Sequence, residues 1–132
     1  MNSYDDNYST CEKTFATLRF YNESESPKVI TETLGIKPTK SQSTEEKKLS
    51  GWFLRSETHV NSKDVRRHID WILNQISELE TEVIQLQKDG WCADINCYWV
   101  SIGHGGPMLD PSQMERLSKF KLTCGFDVYV NK

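Results

Sequence analysis

Seven apolar residues separated by alternating steps of four and three, Val65, Ile69, Ile72, Ile76, Leu79, Val83 and Leu86, constrain this chain more than any other feature. That stepping lines all seven along one stripe of an α-helix, whereas on a strand it would scatter them over both faces. The stripe has to be buried. Three heptads in a chain of 132 residues point to a long helix, or two in succession, lying on a sheet rather than to a coiled coil. Charge order bears on the choice, because Lys63, Arg66 and Arg67 come first and Glu78, Glu80 and Glu82 later, the reverse of what a helix dipole favours. A break near Ser77 would let the acids open a second helix; otherwise the charges form a solvated face, or the basic start receives an acidic partner.

A helix stripe of this kind needs a sheet to cover, and the flanking segments supply strands. "FATLRFY" places Ala16, Leu18 and Phe20 on one face and Thr17, Arg19 and Tyr21 on the other. "WCADINCYWV" alternates in the same way, with Ala93, Ile95, Cys97 and Trp99 opposite Cys92, Asp94, Asn96 and Tyr98. "GWFLRSE" and "KLTCGFDVYV" read as further strands. Ser26 before Pro27 and Asp110 before Pro111 mark the starts of two short helices, the first carrying Val29, Ile30 and Leu34 and stopped by Gly35, the second burying Met114 and Leu117. Residues 37–50 are polar and aperiodic, a connecting loop with brief extended structure around Thr39. Two segments, starting at Phe15 and Cys92, thus share a strand, helix, strand order. The expected architecture is α+β: a ferredoxin-like fold or duplicated β-α-β halves, with a mainly antiparallel sheet and helices on one face. Residues 1–14 read as a flexible N-terminal tail and 15–132 as a single domain.

Composition excludes several function classes. The net charge of -3 gives no basic field to attract nucleic acid. The first 25 residues hold Asp5, Asp6 and Glu12 without an apolar run of signal-peptide length, and no segment is apolar enough to span a membrane, so the expected setting is the cytoplasm. Cys11, Cys92, Cys97 and Cys124 lack the compact spacing of a disulfide framework or zinc site, and His59, His68 and His104 add no close ligand pair, so neither metal nor cofactor is expected. Cys97 and Cys124 fall on the apolar face and near each other, where thiols are inert. Cys92 faces the other way, and Cys11 in the tail should react first.

The remaining candidates for chemistry are few. "SIGHGGPMLDP" sets His104 among glycines, but the GxSxG elbow that would accompany an oxyanion loop is missing, and backbone geometry explains the glycines, so no catalytic residue is assigned. If the loop at 103–107 meets the start of the long helical region, then Arg66, Arg67 and His104, with His68, would surround an anionic small molecule, as in a small enzyme or ligand sensor. The stronger candidate is a surface. Arg19, Tyr21, Asp94, Asn96, Tyr98, Asp127 and Tyr129 share the sheet face turned away from the helices, and tyrosine with arginine is a composition enriched at protein interfaces.

The segments "ATLRFY", "SPKVITETLGIKPTKS", "GWFLRSE", "HIDWILNQI", "GGPMLDPSQMERL" and "FDVYV" together resemble a bacterial family of small domains of unknown function, over most of residues 15–130. The shared features are turn glycines, helix-start prolines and a strand tryptophan. The resemblance therefore implies boundaries and no activity. Some small bacterial domains of similar size neutralise toxins as immunity proteins, and by that analogy the expected function is a non-catalytic protein-binding module, toxin-neutralising in its most specific form, with a protein as its partner.

Overall fold

The computed structural model describes residues 3–44 and 48–130. In chain order the elements are β1 (Cys11–Asn22), α1 (Lys28–Leu34), β2 (Lys40–Gln42), β3 (Ser50–Arg55), α2 (Val65–Gln75), α3 (Glu80–Lys88), β4 (Cys92–Ser101), α4 (Pro111–Lys119) and β5 (Thr123–Val130). The five strands form one sheet in the order β2-β3-β1-β4-β5, antiparallel except where β5 runs parallel to β4. The fold is α+β, as the alternating strands and helical stripe require. Its two β-α-β segments are not copies of each other: the first returns as β3 antiparallel to β1, the second as β5 parallel to β4.

The apolar alternate residues of the strands face the helices, even-numbered in β1 and β3 and odd-numbered in β4. Ala16, Leu18 and Phe20 of β1, Trp52 and Leu54 of β3, and Ile95, Cys97 and Trp99 of β4 all join one buried cluster with Ile30 and Leu34 of α1, Ile69, Ile72 and Leu73 of α2, Val83 and Leu86 of α3 and Leu117 of α4. The helical stripe does break. α2 ends before Ile76, which is itself fully buried, and α3 begins at Glu80. Two short helices resolve the charge conflict, since Glu80 and Glu82 now lie in the first turn of α3 and Lys88 in its last. At the head of α2 the Asp64 side chain caps the helix by accepting from the Arg66 backbone N–H.

Two expectations need correction. The strand expected to begin at Phe15 begins at Cys11, which is fully buried, and part of the supposed tail is strapped down by side chains. Tyr4 donates its hydroxyl to Asp70 at 2.6 Å, Asp5 N–H donates to Asp64, and Tyr8 donates to the Gly106 carbonyl at 2.7 Å while its ring meets Trp99 edge-on. In α4 the buried partner of Leu117 is Gln113, whereas Met114 is 52% exposed. Gln113 is inside because its amide works twice, accepting from the Asp110 N–H and donating to Asp70. The brief extended structure expected around Thr39 within the loop over 37–50 is present as β2, paired with β3; the part of that loop at 45–47 lies outside the described residues. Residues 1–2 of the supposed tail and 131–132 of the supposed domain also lie outside them. Among the described residues no helix is long and apolar enough to cross a membrane.

Candidate functional site

With every helix packed on one side, the other alternate residues, odd-numbered in β1 and β3 and even-numbered in β4, form an uncovered face, and the register assembles them into rows. Phe15 lies opposite Tyr98, and their rings stack at 5.0 Å with planes 24° apart. Tyr98 in turn meets Tyr129 at 5.2 Å, so three rings run from β1 across β4 to β5. A second row starts from Phe53 and Tyr21, edge to face at 5.4 Å, and continues to Arg19, whose guanidinium lies 5.6 Å from the Tyr21 ring. Arg19 grips Asp94 with two bonds, both 2.7 Å, and this pairing raises the arginine above its ordinary value. Asn96 donates to Asp127 at 3.0 Å.

All six residues expected to form the partner surface, Arg19, Tyr21, Asn96, Tyr98, Asp127 and Tyr129, therefore share this face. The sequence reading missed Lys13, Phe15, Phe53, Arg55 and Glu57. Parity offered a signal for most of them, since 13 and 15 continue the odd positions of β1, and 53 and 55 those of β3. The same reasoning explains Gly51, because a Cβ there would meet the Phe53 ring at 2.6 Å. Lys13 pairs with Glu57 at 2.8 Å and sits 5.9 Å from the Phe15 ring. Arg55 lies 6.0 Å from that same ring on the β3 side.

The expected anion site does not assemble. Arg66 does reach the end of the glycine segment, but its donors are spent there: it bonds Asp64 at 2.6 Å, Asp110 at 2.8 Å and the Ser3 carbonyl at 3.0 Å. Asp64, despite the burial that pushes its carboxyl up, is held below the ordinary carboxylate range by Arg66 and the Asp5 and Arg66 backbone N–H groups. Arg67 pairs with Asp6 at 2.7 Å. It borders a cleft of about 480 Å³ with His59, Trp71 and Asp70, and His104 is not among the residues lining it. His104 itself is exposed and forms no hydrogen bond or ion pair with the described residues. The loop glycines have a conformational role at one position: Gly105 has φ +130°, and a Cβ there would meet the Thr10 hydroxyl at 2.8 Å.

His68 is fixed elsewhere, in a buried pair with Ser56 whose Oγ lies 2.6 Å from Nδ1. Nε2 faces the Ser62 carbonyl at 2.8 Å, so the neutral ring carries its proton on Nε2, and the Ser56 hydroxyl donates to Nδ1 while accepting from the Ala16 N–H. Burial holds the imidazole below its ordinary value. Ser56 is fully buried and His68 nearly so, which fits a fastening between β1, the end of β3 and α2 and leaves no route for a substrate. On the helix side, Cys97 and Cys124 face each other at 3.9 Å as free thiols. Among the described residues, no three or more of His, Cys, Asp and Glu gather to hold a metal ion.

The same boundaries emerge from comparison with known families. A model described as a domain of unknown function, DUF4279, matches residues 12–131. The chain belongs to that family. The DUF4279 match begins one residue into β1 and extends past the end of β5, so all five strands, both sheet faces and the covering helices fall within it. No curated protein and no solved structure matches the chain.

Proposed function

We propose that this DUF4279 domain is a non-catalytic module that holds a protein partner on its uncovered sheet face. The observation that carries this reading is the aromatic row of Phe15, Tyr98 and Tyr129 on a face that no helix covers, with Tyr129 53% exposed. Rings of this kind are held rigid by their neighbours, so little side-chain entropy is lost when a partner covers them. The flanking Arg19–Asp94 pair adds polar groups already fixed in place. Neutralisation of a toxin in the bacterial cytoplasm is the most specific form of this reading, and the four free cysteines suit a reducing compartment.

The test compares partners retrieved from the native host by the wild type and by a Tyr21→Ala, Tyr98→Ala, Tyr129→Ala variant that retains the wild-type far-UV spectrum. The reading expects a protein retrieved by the first and lost by the second. Equal retrieval by the folded variant removes the face as the binding site. Where the retrieved protein is toxic on expression, rescue by the wild type but not by the variant supports the neutralising form.

A further inference from the structure

The two edges of the sheet are finished differently. β2 is three residues long and opens on Lys40, a short and charged edge of the kind that discourages another strand from pairing. β5 is eight residues long, holds register with β4 from Thr123 to Val130 without a bulge, and contains no Pro, Lys or Arg. Among the described residues, its outer side pairs with no strand and no other backbone segment bonds to it. Cys124 and Phe126 point to the helix side and pack against the core, and Val128 and Val130 lie on that same side by parity. Yet the two valines are 52% and 70% exposed, so no described helix covers them. Tyr129, between them, is exposed on the other side. The end of β5 is therefore open along its backbone and on both faces, which makes it a template for an added strand.

We propose that two copies of this chain pair through β5, antiparallel about Val128, and join their sheets into one. A twofold axis normal to the sheet keeps each side chain on its own face. A register centred on Val128 then sets Val128 against Val128, Phe126 against Val130 and Asp127 against Tyr129. Apolar side chains meet apolar ones on the helix side, and no like charges are opposed; centring on Asp127 would instead set two carboxylates against each other. Each copy covers the valines that the other's helices leave open, and the outer N–H and C=O groups of β5 gain partners. The second copy also extends the uncovered face, because its own row of Phe15, Tyr98 and Tyr129 continues across the joined edge. The pairing rests on the strand itself and not on what that face holds.

The test is sedimentation velocity of the purified chain with no other protein present. The pairing expects a species of twice the 15.3 kDa of one chain, dissociating on dilution by about a hundredfold from about 0.5 mM, since one strand edge makes an interface of the weak class. Val128→Lys, which places two like charges at the centre of the register on an exposed site, should be monomeric with the wild-type far-UV spectrum. In a Cys92→Ser background, Val128→Cys should form an interchain disulfide on oxidation by diamide, whereas Val130→Cys should not, because it faces Phe126 of the other copy. A monomeric wild type at the highest concentration, a dimer unchanged by Val128→Lys, or linkage through position 130 in preference to 128 would each overturn the pairing. The proposed use of the face fails or stands separately: Tyr98→Ala should lose the retrieved protein and keep the dimer, and a wild type that retrieves that protein as a monomer would overturn the pairing alone.

Discussion

The two faces of the sheet are built from the same strands and differ in what they ask of their side chains. On the helix side of β1 and β4, Leu18, Phe20, Ile95 and Cys97 are fully buried, and their contribution is the transfer of apolar area out of water. On the other side, Phe15, Arg19, Tyr21, Asn96 and Tyr98 are half-buried and hold one another through ring stacks and hydrogen bonds, with donors left over at Arg55. The first face is closed by the helices of its own chain; the second is ordered without being covered. Rigid side chains that bury little in the free protein are what a binding surface needs, and they should therefore matter far less to stability than to association.

The largest expected effect tests that contrast. Ile69→Ala, beneath the sheet, should cost about 3 to 4 kcal/mol by urea denaturation, as a cavity is left in a closed core. Tyr98→Ala on the uncovered face should cost about 1 kcal/mol, the loss of its two ring contacts. Equal losses would mean that both faces are core and that the contrast fails.

A smaller effect comes from His68. Its folded-state value lies below that of the free imidazole near 6.5, so the unfolded chain takes up the proton first as pH falls. The contribution is therefore complete above about pH 6.5 and is lost on acidification until the folded imidazole also protonates, at no more than about 1.4 kcal/mol per pH unit. Urea midpoints between pH 7.5 and 5.5 should fall in the wild type and much less in His68→Gln. A parallel fall in both would assign the acid sensitivity to other groups.

The smallest expected effect is chemical labelling, which leaves the fold intact. Cys92 is exposed, whereas Cys11 and Cys97 are fully buried and Cys124 is half-buried against Cys97. Burial pushes the Cys11 thiol up, and its hydrogen bond to Cys124 together with burial does the same to Cys97. Alkylation followed by mass spectrometry should modify Cys92 first, and Cys11 and Cys97 only on unfolding. Fast modification of Cys11 would show that the segment over 3–10 opens readily.

What the sequence disclosed and what it hid follow from range. The helical stripe and the strand parity are local patterns, and they placed Ile69 under the sheet and Tyr98 above it. The strap was illegible because Tyr4 and Tyr8 are ordered by Asp70 and Gly106, and nothing within a short window signals bonds of that span. Arg66 looked available for an anion for the same reason, as its second carboxylate, Asp110, lies 44 residues away. Met114 fits the apolar spacing, yet Gln113 took the inside position through two hydrogen bonds that periodicity does not see. Phe15 and Arg55 were recoverable from parity, but the unsatisfied Nε was not.

The most direct test of the uncovered face as a partner surface places a photo-crosslinking amino acid at Tyr98 in one version of the protein and at Met114 in another, each expressed in the native host. Met114 is exposed, at 52%, but sits on the helix layer. Illumination should yield a discrete protein adduct from position 98 and none from position 114. An adduct from position 114 alone, or the same adduct from both, would contradict the assignment of binding to the uncovered face.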